Sequence, residues 1–509
     1  MTTFHWISNS YAGYGNDDWH VTDRLTLNLG LRYDIYPHAY EKNNLVSNFI
    51  PGDYDYSMAP TFYSNGSMDA SGPGFSTPAG SSIPFYLNGI REAGVNGFPR
   101  GLVQNHYGTL EPRVGFALDV FGNGKTALRG GFGLFYERVQ GNDITNADAN
   151  PPFASQPSLN NVYFSNPLTS AQDGSTATTV FFPHSLTSLE YNYNIPATAQ
   201  FSMGVQQQLS PSVVGLVQYV GTLGYHQDDD RAINTLPLNS PNRQGVAKGT
   251  FNANLGRIFP GYAGISEEDV NSNSSYDALE SELRMQAWHG LSVQVAYTWS
   301  HEIDIVSSHL GSVSNPFNIA YDRGSGTLDR RNIFNANYIY QLPFFKNTGN
   351  TAEREALGGW QVSGETVAES GSPAIVKYSP DTLGLGGGTS NRPDRFGSTQ
   401  GAKSQKNWFN TTAFSAPLAP WAGGTNQGFG NAGKDAVVGP GLFNFNLSLF
   451  KTFPIGEGRT NIEFRAESFN TFNHTEFQSV NTSYTSSNFG QVTSTYDPRV
   501  LQFGGKLNF

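Results

Sequence analysis

"RLTLNLGLRYDIY" occupies residues 24–36. Apolar side chains stand at 25, 27, 29, 31, 33 and 35, and Thr26, Asn28, Gly30, Arg32 and Asp34 alternate with them. A period of two belongs to a strand and not to a helix. One face of this strand wants hydrocarbon, while the other carries a polar row that includes a cation and an anion. A soluble sheet meets both demands with a core on one side and water on the other. A transmembrane barrel meets them with lipid outside and a wet lumen inside. The rest of the chain has to decide.

Charged residues make up 14% of the 509, against roughly 25% in typical soluble proteins, whereas aromatics reach 13% and glycine 57 residues. No run approaches the ~18 apolar residues of a membrane helix. That mixture suits a barrel whose apolar residues are diluted by alternation. It also suits an extracellular β-rich binding protein. Cysteine is absent, which removes disulfide frameworks and Cys-based zinc sites. A net charge of −11 argues against a nucleic-acid partner. The opening "MTTFHWISNSYAGYG" has neither a basic n-region nor an apolar h-region, so it does not read as a secretory signal.

Alternating segments come in pairs: short turns join 14–21 with 24–37, 109–121 with 125–139, 197–209 with 212–225, 275–288 with 290–303 and 441–454 with 459–478, a longer turn, "KNTGNTAEREALGG", joins 330–344 with 360–377, and a last strand at 497–509 follows. That predicts about thirteen strands of roughly nine to sixteen residues. Membrane strands need about 9–11, and soluble strands average about 5–6. Asn-Gly in "GNGK" (122–125) is the type I′ hairpin signal. Each short turn is followed by a long stretch rich in Gly, Ser, Asn, Pro and Tyr: 38–108, 140–196, 226–274, 304–329, 378–440 and 479–496. Short periplasmic turns alternating with long external loops are the habit of outer-membrane barrels, whereas a sandwich has long loops at both ends.

Trp19, Trp288 and Trp360, with Phe121, Phe344 and Phe453, each sit beside a short turn. They are expected to form an aromatic belt at the periplasmic headgroup level. Arg32, Arg113, Arg129, Arg284 and Arg465, with Glu463 and Glu467, fall on the polar side of their strands and are expected to face the lumen. There opposite charges would pair on adjacent strands. On the lipid side each Arg or Lys would cost roughly 2–4 kcal/mol. These charges read either as a salt-bridge ladder or as a substrate path or plug-docking surface. The ending "LQFGGKLNF" puts Leu501, Phe503, Leu507 and the terminal Phe509 on one face.

Several stretches resemble the β-barrel of TonB-dependent outer-membrane receptors, in particular the Oar-like group: "DDWHVTDRLTLNLGLRYD" (17–34), "EPRVGFALDVFGNGKTALRGGFGLFYERV" (111–139), "LDRRNIFNANYIYQLPF" (328–344), "AESFNTFNHTEF" (466–477) and "FGQVTSTYDPRVLQFGGKLNF" (489–509). They span nearly the whole chain. The resemblance implies an all-β, transmembrane antiparallel β-barrel of about 22 strands in the outer membrane of a Gram-negative bacterium. It implies external loops that capture a scarce or large ligand of unknown identity, and a plug that contacts the TonB complex. Leu501, Phe503, Leu507 and Phe509 resemble the signal read by the barrel-assembly machinery. Signal peptide, carboxypeptidase-regulatory-like domain and plug are not seen in residues 1–509. The chain therefore reads as a partial barrel, about 13–14 strands from the C-terminal part. An odd strand count in a bacterial single-chain barrel points the same way. Residues 2–8, "TTFHWIS", offer a fourteenth strand, which would permit a small passive porin-like channel. A soluble secreted β-rich binding protein or adhesin is the third reading.

Enzyme signals are poor. "FGNGKT" misses the first glycine of a phosphate loop, and "GGFG" lacks the helix of a dinucleotide site. No catalytic, cofactor or metal residue is assigned. "HQDDD" (226–230) and "SEEDV" (266–270) are acidic loop clusters of the kind that bind calcium or simply hold solvated charge. "NVYFSNP" (161–167) offers loop aromatics for carbohydrate or peptide contact.

Overall fold

A computed structural model describes residues 3–69, 87–153, 183–456 and 460–509; "NVYFSNP" (161–167) lies outside them. Thirteen strands run in chain order through one sheet: β1 (Tyr11–His20), β2 (Leu25–Ile35), β3 (Leu110–Asp119), β4 (Thr126–Tyr136), β5 (Ala197–Ser210), β6 (Val213–Ala232), β7 (Tyr262–Trp288), β8 (Leu291–Asp304), β9 (Asn332–Gln341), β10 (Gln361–Glu369), β11 (Leu442–Pro454), β12 (Asn461–Phe469) and β13 (Val500–Asn508). Each pairs antiparallel with the next. Among the described residues β1 and β13 do not pair with one another, so the sheet keeps two open edges. Trp6–Ile7 pair with Tyr40–Glu41 and not with β13. The fourteenth strand considered for residues 2–8 is therefore not formed in the main sheet.

Alternation in the sequence becomes two faces in the sheet, because successive side chains leave a strand in opposite directions. Leu31, Val114, Met203, Val217 and Phe503 on the apolar face are between 49% and 71% exposed. No second sheet covers them. The buried apolar clusters lie instead in the long connections and the far end of β7. One is built from Val46, Leu102, Val103, Leu189 and Val270, another from Val376, Phe409, Phe414 and Val437, and a third around Phe49, Phe259 and Ile265. Each fully buried Phe49, Leu102 or Phe409 contributes roughly 1.5–3 kcal/mol. A sandwich would show the reverse, with strand leucines inside and loops outside.

Buried asparagines fasten these connections. Asn48 Nδ2 donates to the carbonyls of Leu102 and Leu189 (3.2 and 2.8 Å) and its Oδ1 accepts the Leu189 N–H (2.8 Å). Asn234 does the same for Phe259, Tyr262 and Ala263. Such an amide satisfies backbone groups that no ladder reaches.

Turn chemistry differs in one place from the expectation. At "GNGK" the left-handed residues are Gly122 and Gly124, not Asn123. Asp119 accepts both of those glycine N–H groups (3.0 and 2.8 Å), which closes a longer turn than type I′. The two-residue turn with both residues at positive φ is His289–Gly290 (φ 49° and 83°), between β7 and β8. The segment read as a long turn between β9 and β10 contains a helix, Thr351–Leu357, capped by Asn350 Oδ1 on the Ala352 and Glu353 N–H groups. On the apolar face Lys451 directs its ammonium to the carbonyls of Glu355 and Gly358 (both 2.5 Å) at that helix's C-terminal end, where the helix dipole favours a cation.

Candidate functional site

The register carries the predicted charges across the sheet on one face. Arg32 stands opposite Glu111, Arg129 opposite Ala117, Arg284 opposite Gln294, Arg465 opposite Gly504, Glu463 opposite Lys506 and Glu467 opposite Gln502. Arg113 lies opposite Gly30 and Gly133. The expected pairing between neighbouring strands is not what most of them do. Arg32 bonds Asp34 (2.7 Å), Arg113 bonds Glu111 (3.0 Å), Arg284 bonds Glu282 (2.5 Å) and Arg465 bonds Glu463 (2.6 Å), each two residues along its own strand. A period of two puts i and i+2 on one face, and a guanidinium reaches back along its strand as readily as across. Arg129 and Glu467 make no ion pair among the described residues. Trp19 and Trp288 are about half exposed. Trp360 is half-buried between Phe453 and Phe464, its indole N–H on the Ala356 carbonyl (3.1 Å). Leu501, Phe503, Leu507 and Phe509 are all exposed along the free edge strand β13.

The richer chemistry lies at the long-loop end. β6 and β7 continue past the length predicted for them, and the two acidic clusters read as loops are the two halves of this ribbon. Asp229 stands opposite Asp269, Asp230 opposite Glu268 and Arg231 opposite Glu267. Arg231 bonds Glu267 (2.6 Å) and Asp269 (2.7 Å), Ser272 donates to Asp229 (2.5 Å) and Asn146 donates to Glu268 (2.6 Å). Burial, and then the neighbouring Asp269 carboxylate, pushes Asp229 up to about 8. Burial lifts Glu268 to about 8 and Glu267 to about 7, with Arg231 holding the latter back. Among the described residues no three His, Asp or Glu side chains converge as a metal ion would need. The groups bonded to these carboxylates are Arg231, Asn146 and the hydroxyls of Ser266, Ser272 and Ser312.

Two connections, β4–β5 and β8–β9, meet β6 beside this ribbon. His309 places Nε2 at 2.9 Å from Asp143 and Nδ1 at 2.8 Å from Asp228, and Tyr193 donates to Asp143 (3.1 Å). On the polar face below, a cavity of about 310 Å³ opens between the ends of β4 to β8; Glu137, Asp228, Glu302, Asp304 and His309 line it. Lys434 bonds Asp304 and donates to the Ile305 carbonyl (2.9 Å). The wall therefore combines carboxylates from three strand ends with one histidine, and Lys434 bonds one of those carboxylates from behind. It can accept hydrogen bonds and positive charge. Glu137, Asp304 and His309 were not singled out in the sequence, because no local motif joins them.

A family model described as "Outer membrane beta barrel domain" matches residues 1–502. No curated protein matches the chain. Similar solved structures include the outer membrane transporter YddB from Escherichia coli, 11% identical at a TM-score of 0.48, covering 97% of this chain and 44% of that one. The siderophore receptor PirA from Acinetobacter baumannii is 11% identical at a TM-score of 0.43, covering 98% and 45%. The ferripyoverdine receptor of the outer membrane of Pseudomonas aeruginosa is 11% identical at 0.42, covering 99% and 39%. This chain spans less than half the length of each.

Proposed function

Since this chain belongs to the outer-membrane β-barrel domain family, we propose that its thirteen-stranded sheet is part of the wall of a TonB-dependent receptor that takes up a scarce or large ligand. The chain resides in the outer membrane. The apolar face meets lipid, and the polar face with Arg32, Arg113, Arg129, Arg284, Arg465, Glu463 and Glu467 lines the lumen. The short turns, with Trp19, Trp288 and Trp360, lie at the periplasmic interface. The buried clusters of the long connections form the external rim that meets ligand. Leu501, Phe503, Leu507 and Phe509 present the edge that the barrel-assembly machinery reads.

One observation carries this reading: the strand leucines and phenylalanines are exposed, while the packed cores of the described residues sit in the connections and the far end of β7. An uncovered apolar face of that extent would aggregate in water. That counts against a soluble adhesin and supports a lipid solvent. The open edges between β1 and β13 support a wall that continues beyond this chain over a small passive channel.

Fractionation tests the first step. Extraction from outer membranes only by detergent, with heat-modifiable migration on gels, is the expected result; solubility in buffer overturns the reading. Liposome swelling tests the second. Passage of small sugars unaided would establish the passive channel instead.

A further inference from the structure

We infer that the cavity at the loop end of the polar face takes a basic group, an ammonium or guanidinium on an aliphatic stem; this rests on reading that face as the wall of a lumen open to the outside. Four carboxylates line the cavity: Glu137, Asp228, Glu302 and Asp304. The protein's own cations answer only part of that charge. Lys434 sits on Asp304 Oδ1 and His309 on Asp228.

What remains points to a ligand. Asp304 is 1% exposed, and its Oδ2 has no hydrogen-bond partner among the described residues; nor has Glu302 Oε2. A buried carboxylate oxygen without a donor is costly, and two facing carboxylates call for a shared proton or a cation. Gly326 lets them converge: the point a Cβ would occupy there lies 2.6 Å from both Asp304 Oδ2 and Glu302 Oε1. Any side chain at 326 would press the two carboxylates apart.

The remaining wall suits a stem. Pro196, Ala197, Val306 and Leu328 supply apolar surface beside the hydroxyls of Ser274 and Ser307. Long cations bury their methylenes against such surface and keep the charged tip among acceptors. A volume of about 310 Å³ sits at the small end of ligand pockets, roughly 300–1,000 Å³. It holds one basic arm and not a whole large ligand. A metal ion fits less well, because no three carboxylate or imidazole groups converge among the described residues.

Calorimetric titration of the whole chain in detergent micelles tests this. The probes are spermidine, a free polyamine, and acetyl-Gly-Lys-Gly-amide, a lysine on a peptide. The controls are 1,5-pentanediol and magnesium chloride. Saturable binding of at least one ammonium probe is expected, weakened about tenfold by Glu302→Gln or Glu137→Gln, with no binding of the diol and no competition by magnesium. Which probe binds identifies the source of the basic group. Binding of neither probe, equal binding of the diol, tighter binding of magnesium or unchanged affinity in both variants overturns the proposal. Glu137 is exposed at the rim, so its variant keeps a folded readout should Glu302→Gln fail to assemble. A chain that extracts with outer membranes yet binds neither probe defeats the basic-group site alone; a chain soluble in buffer defeats the receptor reading whichever probe binds.

Discussion

Asp229 and Asp269 stand opposite one another in the register of β6 and β7, both fully buried, and Arg231 bonds Asp269 but not Asp229. Two carboxylates so placed do not ionise together cheaply. Burial raises Asp229 and Glu268 to about 8 and Glu267 to about 7. A carboxyl raised on folding stabilises the fold in its protonated form. That stability is complete below the ordinary values of 3.8 and 4.5 and is lost as pH rises through 7 to 8. The far ends of β6 and β7 are therefore expected to show larger amide protection factors, with the intrinsic base-catalysed rate divided out, at pH 5 than at pH 9. Asp229→Asn should flatten that dependence. A pH-independent protection factor in the unaltered chain would remove the argument.

Among the described residues Arg231 is the single cation bonded to Glu267 and Asp269. Arg231→Gln leaves both carboxylates buried without a counter-charge, at a cost of about 3–5 kcal/mol to the ribbon. Arg231→Lys keeps the charge but loses the two-pronged geometry and should fall between. Limited proteolysis of the 226–274 segment, compared across the three chains, ranks them; equal cleavage would show that the pair contributes nothing.

Asn48 joins two connections through three backbone hydrogen bonds. Asn48→Ala orphans those groups and should cost roughly 2–4 kcal/mol in the loop cluster around Leu102 and Leu189. Asn48→Asp should be worse, because a carboxylate then faces two carbonyls. The melting temperature of the loop end, followed by near-ultraviolet circular dichroism, separates them.

The two faces of the sheet should respond oppositely to the same substitution. Leu283→Arg places a charge on the apolar face, five residues along β7 from Trp288 at its turn, and should cost roughly 2–4 kcal/mol. Gln294→Arg on the polar face, beside Glu282, should change stability by no more than about 0.5 kcal/mol. Urea titration of folding into vesicles measures both. Similar losses would mean that the apolar face does not meet lipid.

The thirteen strands were legible because a lipid-facing side chain at every second position leaves a strict period, as in Leu25 to Ile35. The far ends of β6 and β7 were not. Residues 226–232 and 262–274 have no lipid face; their few large apolar residues, Tyr262, Ile265 and Val270, are scattered among charges and pack into the loop cores, so the alternation that marks a membrane strand disappears. The loop cores were hidden for a related reason, since irregular backbone fastened by Asn48 or Asn234 leaves no period. Charge placement by face could be read, but not the partner, because a strand pleat allows Arg32 to reach either Asp34 or a neighbouring strand. The mouth cavity draws Glu137, Asp228 and the pair Glu302 and Asp304 from three strand ends, and only the register brings them together. Its acidic character was visible in part as "HQDDD"; its shape was not.

β7 is 27 residues long, about 90 Å of contour at ~3.3 Å per residue. Inclined at ~40°, it climbs to ~70 Å, while the hydrocarbon belt of such barrels is only about 25 Å tall. More than half of that element is thus scaffolding above the bilayer, a gantry holding the packed connections aloft. Solutes arriving from outside touch this superstructure tens of ångströms before they come near any lipid.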